Sequence, residues 1–546
     1  MRYGPAALVL VLASTASAQT ASAPGMAAWR KDLHVIAEEL PKRHPNLFYR
    51  MSRTTWDSAV ASIDQRLPTM TRNQALVSLM QLVALVNDGH TSINALFDRN
   101  MGIHYYPIEM SLFDDGLYVI SAAPQFPNLV GAKVLRIGNA STEDAIKAAG
   151  TIFGHENDWW VRAWAPTMLG LAEVLDGLRL TPDANSLSLV VERDGKQSTV
   201  RLKPTGQLAP GGHNPNGGFD RTGWVKLSSA ANEPLSRRDR GRPYWVEYVA
   251  RDSTLYVAYR AVASLDDEPN PQFWRRVFAT ADSLPLRRFV LDIRDNGGGN
   301  NFFNRAVVRG IIARPSLDRP DRLFVITGGK TFSAAMNLAL DLERWTNATF
   351  VGQPTGNAIV FFGDTEQLAL PVSGLTVNVS SLPWYPANPR DTRQFIPPRL
   401  YTPLLFADYR ANIDPAMRVI LARGSTASLT EKIQQSIQKG DTAAALKAIT
   451  DAITDPTNRF RTPEADVNAL GYQLVESDQA AAIAVFRLNT RAFPKSANTW
   501  DSLGEALIAN GEREEGIASY RKALELDPQM PSAIDALRRL GVPGRG

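Results

Sequence analysis

Apolar residues recur near helical spacing through residues 26–86, in MAAWRKDLHVIAEELPKRHP and again in ALVSLMQLVALV, which predicts a helical N-terminal region. Asn73-Gln74-Ala75 leads into the second helix. Asp88-Gly89 is expected to stop it, because glycine tolerates the left-handed conformation that ends helices. From 100 to 205 the pattern alternates instead, in GLYVISAAP, AKVLRIGN, SLSLVVERDG and STVRLKP, which predicts strands. Residues 206–243 are rich in Gly, Pro, Asn and Arg and read as a loop or linker. From 244 the chain runs strand, helix, strand, helix, through STLYVAYRAV, PQFWRRVFATADSL, RRFVLDIRD, NRAVVRGIIAR, DRLFVITG, AAMNLALDLERW and ATFVGQ. That alternation predicts an α/β layer on a largely parallel sheet.

The C-terminal part repeats itself. Leu470-Gly471 recurs as Leu503-Gly504, Ile483 as Ile517, Phe486 as Tyr520 and Pro494 as Pro528, at offsets of 33 or 34 residues. This period, with Trp500-x-x-Leu503-Gly504 and a closing LELDP, resembles the tetratricopeptide repeat. Each such unit is a helical hairpin that stacks on its neighbours to bury its apolar face. Two units are clear, and GDTAAALKAITDAITDP marks a degenerate third at 428–456.

Composition narrows the picture. A length of 546 residues suggests about three to four domains at ~150 residues each. A hydrophobic fraction of 44% and a charged fraction of 21% exclude wholesale disorder and a fibrous fold. The net charge of +4 is small and its basic residues form no run, which argues against nucleic acid. The chain has no cysteine, so disulfides, thiolate metal sites and a cysteine nucleophile are excluded. Residues 1–18, MRYGPAALVLVLASTASA, have the charged start, apolar run and Ala16-Ser17-Ala18 cleavage site of a secretory signal. The run is too short to span a bilayer, and no later segment offers ~20 apolar residues. The expected location is periplasmic or secreted, with no stable membrane span after signal cleavage.

Three segments carry candidate chemistry. In LFVITGGKTFSAAMNLALDLE, residues 323–343, an apolar strand runs through Gly328-Gly329 to Ser333 at the start of a helix. A helix N-terminus favours negative charge, which suits an alkoxide-like nucleophile, although most serines there only cap. Gly329-Lys330-Thr331 resembles the end of a phosphate-binding loop, but Phe324 stands where that motif needs glycine. In VLDIRDNGGGNN, residues 290–301, a buried strand ends in three glycines able to point backbone N–H groups into a pocket. In VNDGHTSI, residues 86–93, His90 is the one plausible base. The six histidines form no HExxH motif, so neither a metal site nor a cofactor is expected.

DGHT at 88–91, D-x-R-x-N-G-G-G at 292–299 and T-x-S-A-A at 331–335, in this order, resemble the C-terminal processing (tail-specific) and tricorn-like serine peptidases. VGQPTG at 351–356 and LPVSGLTV at 370–377 support the resemblance, which covers roughly residues 30–420. It implies a ClpP/crotonase-like α/β catalytic core with Ser333 as nucleophile. It also implies an oxyanion hole from Gly297 or Gly298 together with Ala334. The tail-specific branch places a lysine base shortly after the serine. The matching stretch here is Thr355-Gly356-Asn357, and no lysine lies between Lys330 and Lys432. The tricorn-like branch uses an upstream histidine, which implies His90 as base. It also uses an acid near the end of the domain, and Asp391 in PRDTRQFIPP is taken as that carboxylate, with Thr91 or Ser92 as a relay.

The expected organisation is a signal peptide at 1–18 and a helical region carrying the base at 19–99. A β-rich, PDZ-like middle follows at 100–205 and a linker at 206–243. The peptidase core spans 244–424 and all-α repeats span 425–546. HENDWWVRAW at 155–164 is either a groove lining or a packed helix edge. The implied activity is a Ser-His-acid peptidase acting on peptides or protein C-terminal tails, with repeats that recruit a protein partner. The competing readings are a non-catalytic peptide- or small-ligand-binding protein on the same scaffold, and an assembly adaptor working through its repeats.

Overall fold

The computed structural model of the chain describes residues 25–93, 102–207, 221–227, 232–423 and 427–543. The signal segment lies outside the described residues, as do residues 208–220 and 228–231 of the expected linker. Among the described residues no helix is long and apolar enough to cross a membrane.

A six-stranded sheet organises the second half. Its order is Tyr244–Val249, Thr254–Tyr259, Arg288–Asp292, Leu323–Thr327, Thr349–Gly352 and Leu400–Tyr401. The first pair is antiparallel and the others are parallel. Every residue of the four inner strands is buried. A parallel strand covered on both faces needs an unbroken apolar run, which is why these segments do not alternate. Helices Asn270–Ser283, Asn304–Ile312 and Ala334–Trp345 cover one face, packing through Phe273, Trp274, Val277, Ile311 and Leu338. Helix Pro415–Ala422 covers the other, with Ala416 and Ile420 against Tyr256, Val290 and Phe324. The register pairs Asp292 with Ile326, so the glycine-rich loop after Asp292 and the loop leading to Ser333 leave the sheet on the same edge.

The N-terminal helices are Arg30–Arg43, Arg53–Arg66 and Arg72–Ala84. The last starts in a capping box made by Thr71 and Gln74. Its end differs from expectation: Asn87, not Gly89, takes the positive φ of 52°. Gly89 is needed for a different reason. A Cβ there would lie 2.7 Å from the ring of Phe332, so only glycine lets these two segments touch. Just beyond, Ser92–Ile93 pairs antiparallel with Thr376–Trp384, in register Ser92 with Asn378. This pairing ties the His90 segment to the core.

The middle region is an antiparallel sheet containing Ile108–Phe113, Gly116–Ala122, Lys133–Ile137, Leu187–Arg193 and Lys196–Leu202. Helices Thr142–Gly150 and Asp158–Met168 interrupt it. The aromatic HENDWWVRAW stretch is the start of the second helix, capped by the Asn157 side chain on the Trp159 and Trp160 N–H groups. The C-terminal helices pair as Leu429–Gln438 with Thr442–Thr454, Glu464–Leu474 with Gln479–Ala492, and Ala497–Ala509 with Arg513–Leu526. The degenerate repeat at 428–456 is therefore a helical hairpin. Gly471 admits the ring of Phe486 and Gly504 that of Tyr520, which explains why glycine and aromatic recur together.

Candidate active site

Ser333 stands at the N-cap of helix Ala334–Trp345, with φ 54° and ψ −125°. A non-glycine residue holds such a conformation only where its surroundings impose it. Its hydroxyl makes no capping bond to the helix, so it is not spent on the usual task of a serine there. The backbone around it is fixed by neutral groups. Ser333 N–H donates to Asn357 Oδ1 at 2.6 Å, and Phe332 N–H donates to the Asn296 carbonyl at 3.0 Å. Gly356 N–H donates to the Thr331 carbonyl at 3.1 Å, and Thr331 Oγ1 donates to the Ile293 carbonyl at 2.8 Å.

The glycine-rich loop lies directly against this turn. A Cβ on Gly298, which has φ 103°, would meet Ser333 Cβ at 2.5 Å and Ala334 N at 2.9 Å. Gly298 N–H is already engaged by Asn296 Oδ1 at 2.9 Å. Among the described residues, no partner is found for the N–H groups of Gly297 and Ala334. Upstream, Asp292 and Arg294 brace the loop rather than face the serine. Arg294 is paired with Asp292 and Asp414 at 2.9 Å each, and Tyr256 OH donates to Asp292.

His90 lies beside Phe332, the residue before Ser333. Its ring centroid is 4.4 Å from that of Phe332 and 5.8 Å from that of Phe361, with which it stacks. Trp160 extends the stack on the far side of Phe332, at 4.0 Å. Enclosure between two apolar rings desolvates the imidazole and lowers its pKa below the usual 6.5. Asp88, Asp364 and the Phe362 carbonyl oppose this. Both ring nitrogens are buried, and among the described residues neither makes a hydrogen bond of good geometry. At neutral pH the ring is an uncharged acceptor.

The structure does not bring Asp391 to the imidazole. Arg393 forks onto its carboxylate at 2.7–3.2 Å and forks again onto Glu343, and this pairing lowers the Asp391 pKa. Asp88 takes the place near the base, with Oδ1 3.9 Å from His90 Nδ1. Oδ1 of Asp88 also accepts the His90 backbone N–H at 3.1 Å. Oδ2 accepts Thr91 Oγ1 and Ser380 Oγ at 2.6 Å each and His44 Nε2 at 3.2 Å. Asn46 N–H donates to His44 Nδ1, which fixes the His44 proton on Nε2. Burial alone would raise the Asp88 pKa. The His44, His90, Ser380 and Thr91 interactions outweigh it and hold the group ionised. A second buried carboxyl behaves oppositely: Glu156 accepts Gly89 N–H at 3.1 Å, and burial and the Asp88 charge push its pKa up to about 8.

Sequence reasoning passed over His44, Asn296, Asn357 and Glu156. Asp88 lay inside the DGHT motif but was read there as a helix stop.

Comparison with known proteins bears on the two ends differently. A tetratricopeptide repeat model matches residues 497–530. Superkiller complex protein 3 of Mus musculus is 33% identical over 102 residues, 19% of this chain and only 6% of that protein. The crystal structure of a CPAF mutant aligns with TM-score 0.52 and 12% identity, covering 73% of this chain and 98% of that one. Mature CPAF complexed with lactacystin aligns with TM-score 0.49 and 14% identity, covering 76% and 100%. The photosystem II D1 C-terminal processing protease aligns with TM-score 0.32 and 13% identity, covering 68% and 92%. At such identities the likeness is one of fold. The chain shares the fold of CPAF over 73% of its length, and its C-terminal end carries a tetratricopeptide repeat.

Proposed function

We propose that this chain is a serine peptidase acting in an exported compartment on peptides or protein tails. One observation carries the reading: an uncommitted serine hydroxyl at a helix start, on a backbone held at positive φ, with a buried histidine packed on Phe332, the residue before that serine. Strained serine turns between strand and helix are where hydrolases present a nucleophile.

His90 takes the Ser333 proton as the hydroxyl attacks an amide carbonyl, and an acyl-enzyme forms. The N–H groups of Ala334 and Gly297 receive the oxyanion, since that of Gly298 is engaged by Asn296. His90 then protonates the leaving amine. Asp88 supports the transient imidazolium in the role that the family resemblance gave to Asp391. The sheet at 108–202 holds the place of a PDZ-like module, and the repeats recruit a protein partner.

A fluorophosphonate probe tests this. Wild type should label and Ser333→Ala should not, with peptide hydrolysis falling by about 10⁴-fold or more in the variant. Equal labelling of both, or of neither, assigns the scaffold to non-catalytic ligand binding.

A further inference from the structure

Thr355-Gly356-Asn357 occupies the stretch where the lysine of a serine–lysine dyad would stand, and it supplies no base. Asn357 is fully buried, and its Oδ1 accepts the backbone N–H of Ser333 at 2.6 Å. Its Nδ2 is buried with no partner among the described residues. An amide whose oxygen accepts from a backbone N–H has its orientation settled, because the nitrogen cannot replace it there. Asn357 is itself anchored. Thr355 Oγ1 donates to its carbonyl at 3.2 Å and also accepts Ile396 N–H at 3.0 Å.

Resting on the peptidase reading above, we propose that Asn357 is a positioning residue: it clamps the Ser333 N–H and so holds the nucleophile in its positive-φ conformation. Two consequences follow from the geometry. First, the Ser333 N–H is consumed by the clamp and is not an oxyanion donor. That task falls to Ala334 N–H, which opens the helix without a partner among the described residues. Second, the clamp is neutral. A carboxylate at this distance would place a negative charge beside the group that becomes negative during attack, and a lysine could not accept the N–H, whereas an amide oxygen accepts it without a charge.

The test uses the full-length secreted chain. The second-order rate of fluorophosphonate labelling is measured for wild type, Asn357→Ala and Asn357→Asp, with thermal unfolding of each. Asn357→Ala should label about 10²-fold more slowly, the cost of a nucleophile displaced by about 1 Å. Asn357→Asp keeps an oxygen acceptor for Ser333 N–H but adds the charge that the amide avoids, so it is read by backbone geometry rather than by rate. Crystal structures of both variants supply that readout, independent of activity: φ of Ser333 should leave the positive region in Asn357→Ala and stay there in Asn357→Asp. Wild-type labelling in Asn357→Ala, a Ser333 φ still near 54° in that variant, or a φ that leaves the positive region in Asn357→Asp as well overturns the proposal. Absence of labelling in wild type counts against the peptidase reading alone, since the φ measurement still decides the role of Asn357.

Discussion

Around Ser333 the fixing contacts are neutral: the Asn357 amide, the Asn296 amide and carbonyl, and the Thr331 hydroxyl and carbonyl. Around His90 they are charged or aromatic: ionised Asp88 beneath it, the protonated-side Glu156 under Gly89, and the rings of Phe332 and Phe361 on its faces. The difference follows the charge each group acquires. On the proposed mechanism the serine turn hosts a developing oxyanion, so a nearby anion would raise the barrier and neutral dipoles serve best. The histidine acquires a positive charge in a desolvated site, and a fixed carboxylate lowers the cost of that change. One half of the site is preorganised by hydrogen bonds and the other by burial balanced against charge.

Breaking the charged half at its centre should have the largest effect. His90→Ala removes the base, and peptide hydrolysis should fall by about 10⁴-fold. Retained hydrolysis would show that another group takes the proton. Gly298→Ala attacks the neutral half by sterics. Its Cβ would lie 2.5 Å from Ser333 Cβ in a backbone conformation that L residues rarely adopt. The turn and its oxyanion donors must shift, and kcat should fall by about 10²–10³-fold. An unchanged kcat would place the oxyanion elsewhere.

The carboxylate assignment is sharpened by two variants read against pH. The lowered His90 pKa puts the acid limb of kcat/KM below pH 6.5. The Asp88 charge favours the imidazolium, so Asp88→Asn should move that limb to still lower pH and reduce the rate by about tenfold. Asp391→Asn should cost less than Asp88→Asn, because Asp391 is tied to Arg393. The reverse order of effects would return the orienting role to Asp391.

The smallest effect concerns stability. Glu156 has a folded pKa raised from 4.5 to about 8, so the folded chain holds a proton that the unfolded chain has released across that window. Stability from this group is therefore lost as pH rises from 4.5 toward 8. Glu156→Gln should flatten that slope in chemical denaturation measured at several pH values, and an undiminished slope would point to another group.

Much of this architecture was legible. The four inner strands are continuous apolar runs because both faces are covered, and the 34-residue period announced the repeats. The position of Ser333 after a strand and before a helix was legible, and so was that of His90 just beyond a long helix. The supporting residues were not. Asn296 stands inside the D-x-R-x-N-G-G-G motif, but its contacts with the Tyr259 carbonyl and Phe332 N–H are distant in the chain, as are those of Asn357 with Ser333 N–H and of His44 with Asp88. Asp391 follows from the resemblance, as an acid near the end of the domain, but Arg393, two residues away, satisfies it locally. Asp88 was hidden by a turn reading that fitted equally well until Asn87 was seen to carry the positive φ.

By itself the sequence determined which stretches are strands and helices, where the glycines and the serine stand at their ends, and that no thiol chemistry is available. These follow from periodicity and residue type, which act over a few neighbouring positions. Only the tertiary structure decided which carboxylate lies near the imidazole, that two phenylalanine rings enclose it, and that an asparagine oxygen accepts the Ser333 N–H. Desolvation and Coulomb interactions depend on distances between groups far apart in the chain, and folding alone sets those distances.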